Sequence, residues 1–144
     1  MANEASVLQG GVGSENIVET YSITAGATIP VGSFMVANAT SGAAQTHTAG
    51  SIKIPLGYAV ESSTSTDLDT VIGVQTGGDV LAFIDGSVTT GDVVCLSETT
   101  ANRLRRLCIT GTLSYTEIQS IVGRAKATGT DGQKIRIKLT LANG

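Results

Sequence analysis

Residues 134–141, KIRIKLTL, alternate strictly between polar and apolar side chains. Side chains on a β-strand point to opposite faces in turn, so this pattern predicts a strand with one buried face and one face in water. Such strands are typical of antiparallel sheets, because parallel strands are usually covered on both faces. The Asp131-Gly132 pair just upstream is typical of a tight hairpin turn. The face predicted to be buried carries Ile135, Ile137, Leu139 and Leu141.

The rest of the chain has the composition of an all-β domain. Glycine accounts for 18 of the 144 residues and proline for 2, and aromatic residues make up only 3%. Short apolar runs separated by glycine-containing turns are typical of small β-barrels and sandwiches. We therefore expect one all-β domain of short antiparallel strands over residues 17–144, with an aliphatic core. One segment departs from this pattern: SYTEIQSIV places Ser114 and Glu117 at capping-box spacing and predicts one short helix over residues 114–122.

Two phrases of the sequence occur twice. IPVGSFMV is similar to VTTGDVVC, and IPLGYAVES is similar to SIVGRAKAT, so that Gly32 matches Gly91 and Gly57 matches Gly123. If the match is more than a shared use of glycine and valine, it indicates a weak internal duplication, with units 17–87 and 88–144. Two similar sheets would then fold against each other as a small barrel or sandwich.

Residues 1–16 differ from the rest of the chain because they are small, polar and rich in glycine. This composition lacks the apolar periodicity needed to pack on a domain and predicts a flexible N-terminal arm. Val7 and Leu8, with Val12 further on, are the apolar side chains through which such an arm could be anchored.

The net charge of −3 hides an uneven distribution. Up to Glu98 the chain has ten acidic residues and one basic residue, which gives −9, and from Ala101 onward it has eight basic and two acidic residues, which gives +6. A basic half sometimes indicates nucleic-acid binding. Here Tyr115 is the only aromatic residue among the basic ones, so we expect no direct nucleic-acid contact. Self-complementarity explains the distribution more simply, because the acidic half of one subunit can meet the basic half of the next, or of a partner surface.

Three of the basic residues, Arg103, Arg105 and Arg106, are close together in a strand-like run. One interpretation is a solvated sheet edge that discourages aggregation between strands. The alternative is a contact with another subunit or with a partner surface.

No segment of the sequence predicts a catalytic, cofactor or metal site. The single histidine, His47, has neither a nucleophile nor a further metal ligand beside it, and we interpret it as an ordinary polar loop residue. Asp67 and Asp69 are two loop carboxylates without further ligands, which are usually solvated. We therefore expect a protein that is not an enzyme and has no cofactor and no small-molecule substrate.

The sequence contains no long apolar run and no basic segment followed by an apolar one near its start. We therefore expect no membrane span, no secretory signal and synthesis in the cytoplasm. In that compartment Cys95 and Cys108 are expected to be two buried thiols, although their spacing also permits a disulfide.

Four segments rich in glycine and aliphatic residues follow each other along the chain: ITAGATIPVGSFMV, IPLGYAVES, GGDVLAFIDGSVTTGDVV and IVGRAKATGTDGQKIRIKL. Over about residues 18–141 this order resembles the decoration, or head cement, proteins of tailed bacteriophages. The likeness consists of glycine and aliphatic patterns with no fixed chemical residue. The basic RLRRL run and the different spacing of the two halves are not features that we can match to that family.

The resemblance implies a β-tulip-like fold and a virion structural protein that binds the outer surface of an expanded icosahedral capsid. The partner would be the major capsid protein. The protein would sit as a homotrimer at threefold or quasi-threefold sites and stabilise the shell against internal DNA pressure. Residues 1–16 would be the capsid-binding arm, with Val7, Leu8 and Val12 as its contacts.

Two other functions remain open at this point. The chain could be another structural or adhesive β-module, such as a tail or fibre component or a glycan-binding module, although glycan sites commonly use aromatic platforms that are scarce here. It could also be an oligomeric β-barrel enzyme whose site forms between subunits.

Overall fold

The computed structural model describes residues 17–38, 40–50, 54–107 and 115–141. Within these residues the chain forms ten antiparallel strands and one short helix, which confirms the predicted all-β fold. The first sheet consists of β1 (Val18–Ser22), β2 (Phe34–Ala37), β3 (Ala44–Thr46), β4 (Pro55–Ala59) and β5 (Val71–Gln75). The second consists of β6 (Gly77–Phe83), β7 (Val93–Leu96), β8 (Leu104–Arg106), β9 (Ile121–Ala125) and β10 (Lys134–Thr140), with α1 (Tyr115–Gln119) before β9.

The two sheets have the same strand order when each is counted from its own first strand. The first has the order β1-β5-β4-β2-β3, and the second has β6-β10-β9-β7-β8. In each sheet a single parallel bridge joins the residue after the first strand to the start of the third, Ile23 to Ala44 and Ile84 to Leu104. Each sheet therefore curls until its two end strands approach each other, as in a small barrel.

Gly57 and Gly123 hold the same position in the two sheets. Gly57 pairs with Met35 and Gly123 with Val94, and the strand register shifts beside each glycine. A Cβ atom at Gly57 would collide with the carbonyl oxygen of Gln75, and a Cβ atom at Gly123 would collide with that of Lys138. Close approach of two backbones is a common reason for glycine inside a strand.

The boundary between the two sheets lies between β5 and β6, because β6 pairs along its whole length with β10 of the second sheet. The expected division at 87/88 falls inside the second sheet, between β6 and β7. The internal duplication remains a proposal, and units defined by the sheets would be separated near Thr76.

The core consists of two connected groups of aliphatic side chains. Met35 packs into the group of the first sheet, whereas its neighbours Phe34 and Val36 belong to the group of the second. Strand β2 therefore contributes to both groups and holds the sheets together.

The predicted alternation of the last strand is confirmed: Lys134, Arg136 and Lys138 are exposed, and Ile135, Ile137, Leu139 and Leu141 are buried.

The predicted short helix is confirmed at Tyr115–Gln119. Its expected cap, Ser114, and Cys108 lie outside the described residues. Cys95 is a buried free thiol, and burial raises its pKa. No helix in the described ranges has the length and apolar character needed to cross a membrane.

Candidate interaction surface

Ile17, which follows the predicted arm in the sequence, lies at the link between the two sheets. The arm residues Val7, Leu8 and Val12 lie outside the described residues, which begin at Ile17. The carbonyl of Ile17 accepts a hydrogen bond from the N–H of Thr76 at 2.8 Å, in the link between β5 and β6. The C-terminal end of β10 is close by, because Thr140 pairs with Gly77. Ile17 and Leu141, the first and last described residues, therefore lie at the same part of the domain.

Arg103 lies at the other end of the β6–β10 strand pair. Its Nη1 atom is 3.8 Å from Oδ1 of Asp131, in the turn that precedes β10. Strand β6 runs from Gly77 to Phe83, and seven strand residues span roughly 20 Å. The structure therefore separates Arg103 from Ile17.

The other two arginines lie on β8, which is an end strand of the second sheet. The Nη2 atom of Arg105 is 3.8 Å from Oε2 of Glu98, and the Arg106 side chain is exposed. Arg103 and Arg105 thus contact carboxylates of their own chain, and such exposed pairs contribute little to stability. The edge and contact interpretations of this strand both stay predictions.

Asp85 lies beside Arg103 and organises the turn after β7. Its Oδ2 atom accepts hydrogen bonds from the hydroxyls of Ser97 at 2.5 Å and Thr99 at 2.7 Å. These two bonds, chiefly that from Ser97, lower the pKa of Asp85, and Arg103 adds to the effect. The cluster holds a turn in place, because every donor to this carboxylate comes from the same loop.

A basic face covers the outer side of the second sheet, and our sequence analysis did not select it as a site. Arg124 pairs with Lys138 across β9 and β10, so the charged side chains of both strands point the same way. The Lys126 Nζ atom reaches over β10 to Oδ2 of Asp79 at 3.2 Å. The basic face consists of Arg124, Lys126, Lys134, Arg136 and Lys138, all exposed.

A shallow cavity of about 190 Å³ opens at the seam between the sheets, next to the basic face. We call it the seam groove and define it by Val31, Tyr58, Leu81, Phe83 and Lys134. Three of its apolar side chains are well exposed: Val31 by 61%, Leu81 by 53% and Phe83 by 43%. The Tyr58 hydroxyl donates to the Leu81 carbonyl at 2.7 Å, and the Lys134 ammonium lies 5.3 Å from the centre of the Phe83 ring. Adjacent exposed apolar groups of this kind are typical of binding surfaces.

His47 lies in the loop after β3, and it is buried between the sheets, which its sequence context did not indicate. Its side chain is only 2% exposed, and its Nδ1 atom accepts a hydrogen bond from the Asn102 N–H at 2.9 Å. The neutral ring therefore carries its hydrogen on Nε2, which has no hydrogen-bond partner in the described part of the chain. Burial lowers the pKa of His47, and the Ser97 backbone opposes this shift in part.

Asn102 connects the two sheets. Its backbone is in the left-handed region, with a φ of 56°, which asparagine tolerates better than most residues. The side-chain Oδ1 atom accepts from the Phe34 N–H at 2.7 Å, and Nδ2 donates to the Gly32 carbonyl at 3.2 Å. A positive φ and a cross-sheet partner cannot be read from one asparagine in a sequence.

No candidate metal centre occurs among the described residues, where no group of three or more His, Cys, Asp or Glu side chains could hold an ion. The described part of the chain presents a basic face and, at its border, an apolar groove.

The fold is similar to that of a solved bacteriophage protein, the N base of the head fiber gp8.5 of phage phi29. The TM-score is 0.56 at 11% sequence identity, and the alignment covers 86% of this chain and 95% of that one. At so low an identity, the structural match shows a shared fold and nothing further about the function of this chain. No protein-family model matches the sequence, and no curated protein is significantly similar to it.

Proposed function

We propose that this chain is a structural protein of a bacteriophage virion that binds the outer surface of the expanded head and has no catalytic role. The observation that carries the proposal is the fold shared with a phage head fiber base over most of both chains. The order of glycine and aliphatic segments, which resembles the decoration proteins, points to the same part of the virion. Homotrimers at threefold or quasi-threefold sites, contact with the major capsid protein and bracing of the shell belong to this proposal.

Two surfaces have the properties that attachment to a capsid requires. Residues 1–16, with Val7, Leu8 and Val12, are the proposed capsid-binding arm, and they precede Ile17, which is hydrogen-bonded to Thr76. Arg103, Arg105 and Arg106 are proposed as a second contact, with a subunit or with the capsid. A capsid repeats one site many times, so modest contacts add up through valency.

Sedimentation with purified expanded heads of the phage that encodes the chain tests this function. We expect the full chain to pellet with heads that lack it, and a chain without residues 1–16 to bind at least about tenfold more weakly, which is about 1.4 kcal/mol per site. A second variant, with Val7, Leu8 and Val12 changed to serine, keeps the length of the arm and removes only its apolar side chains. Full chain that stays in the supernatant at every concentration would overturn the proposal.

The fold shared with a head fiber base favours a second candidate, in which this chain is itself the base of a head fiber. In that case the particles would carry elongated projections that start at this domain. Electron microscopy of purified particles, with antibody against residues 17–141, separates the two functions. Decoration predicts compact label over the head surface, and a fiber base predicts label at the foot of each projection.

A further inference from the structure

Leu68 is the most exposed large hydrophobic side chain in the described part of the chain. It is 83% exposed and lies between Asp67 and Asp69 in the loop before β5. A leucine presented in this way, with a carboxylate on each side, has an apolar tip and an anionic border.

The seam groove has the complementary properties. Its apolar residues are open to solvent, and its cavity of about 190 Å³ exceeds the roughly 150 Å³ that accommodates a benzene molecule in a protein interior. Two cations border it on one strand, because Lys134 pairs with Phe83 and Arg136 pairs with Leu81 across β6 and β10.

The signs of the charges beside the leucine and beside the groove are also complementary. Lys134 and Arg136 are two residues apart on one face of a strand, which places them roughly 6.6 Å from each other. Asp67 and Asp69 flank Leu68 in a loop outside the strands, so the strict alternation of a strand, which would turn both carboxylates away from the leucine, does not apply to them. One oxygen of Asp67 already accepts the Thr64 N–H at 2.8 Å, which holds the loop and leaves the other oxygen for a cation.

We propose that Leu68 of one copy of this chain inserts into the seam groove of a second copy, with Asp67 and Asp69 against Lys134 and Arg136. Loop and groove lie on different parts of the same molecule, so the contact is heterologous and joins copies head to tail. It would close a ring if the rotation between copies allows. This contact would join the subunits of the proposed homotrimer, so the inference rests on that part of the proposed function.

Analytical ultracentrifugation of the full chain over a concentration series tests the contact. Leu68→Ser removes the inserted group, and Val31→Glu places a carboxylate in the groove. Both positions are exposed, so we expect unchanged melting temperatures and self-association weakened at least tenfold in each variant. Leu81→Glu replaces Val31→Glu if the latter lowers the melting temperature. Ile118→Ser, at a side chain that is 47% exposed in α1, is the control and should associate like the parent chain.

A mixture of the two variants gives the sharper result. Leu68→Ser keeps an intact groove and Val31→Glu keeps an intact loop, so together they can form one contact and no more. We expect a 1:1 dimer in the mixture, no larger species, and monomers from each variant alone.

The proposal is overturned if the parent chain stays monomeric, if Leu68→Ser associates as tightly as the parent, or if the mixture forms no dimer. These outcomes are separate from head binding. A chain that self-associates through this contact but does not pellet with heads would refute the proposed function and leave the contact standing.

Discussion

The first sheet and the second are built with the same strand order but expose different side chains. Among the described residues up to Thr76 there are four Asp and Glu and no Lys or Arg, whereas residues 77–141 carry eight Lys and Arg and six Asp and Glu. The shared features are internal: Gly57 and Gly123 allow the same close approach of strands, and Met35 and Val94 beside them are fully buried. Strand order therefore depends on aliphatic and glycine positions, and the outward positions are free to differ.

This comparison supports our proposal that the two sheets are duplicated units that have diverged on the outside. Acidic and basic residues also occupy different positions within the second sheet. Carboxylates such as Asp85 and Asp131 lie in turns, and the cations of β9 and β10 lie on the outer face. A surface sorted in this way can present one sign of charge to a partner.

The largest effect is expected from adding a side chain at Gly57 or Gly123. Gly57→Ala and Gly123→Ala should each lower the free energy of unfolding by about 3 kcal/mol or more, because the new methyl group meets a backbone carbonyl that cannot move alone. Urea unfolding of both variants measures this. Gly91→Ala is the control: its φ is positive, at 94°, as that of Gly57 is, but nothing lies within 4 Å, so we expect about 1 kcal/mol. A tolerated change at one glycine alone would show that the sheets are not equivalent there.

A smaller effect is expected at the connection between the sheets. Asn102→Ala removes two cross-sheet hydrogen bonds and leaves a β-carbon at a positive φ, so it should cost about 2–3 kcal/mol of unfolding free energy. Asn102→Gly restores the backbone freedom and should recover about 1 kcal/mol of that loss in the same urea experiment. Equal losses in the two variants would show that the side-chain hydrogen bonds carry the whole effect.

His47 should make the stability of the contact between the sheets at Asn102 depend on pH. Its pKa is lowered in the folded chain, so the folded state binds fewer protons and the free energy of unfolding should fall as the pH drops through the unfolded pKa of about 6.5. The slope cannot exceed about 1.4 kcal/mol per pH unit for one proton. The carboxylate of Asp85, whose pKa is also lowered, protonates only well below this range. Urea unfolding between pH 5 and 7 should show the decline in the parent chain and a flatter profile in His47→Gln.

Most of the fold could be predicted from the sequence, because alternation and glycine turns are local signals. The run at residues 134–141 indicated both faces of β10, and the capping-box spacing at Glu117 indicated α1. The sequence did not reveal which strands pair with strands that are far away in the chain. Thus β6, which the repeat suggested as the end of the first unit, begins the second sheet.

The interaction surface could be predicted only in part, for the same reason. Lys134, Arg136 and Lys138 were recognised as one outward face, but the addition of Arg124 and Lys126 depends on the pairing of β9 with β10. The burial of His47 depends on Asn102, which is 55 residues away in the chain. Single residues whose partners are distant in sequence carry no local pattern.

The smallest effect is expected from the ion pair that crosses the basic face. Lys126 and Asp79 are 3.2 Å apart, but their side chains are 44% and 39% exposed, so water screens the attraction. A double-mutant cycle with Lys126→Gln and Asp79→Asn should give a coupling energy below about 1 kcal/mol, and high salt should reduce it further. The first sheet has no described cation, so no equivalent pair can form there among the described residues. A coupling energy well above 1 kcal/mol would mean that this pair fastens β9 to β6 across β10, and that the charges of the second sheet stabilise its fold as well as its surface.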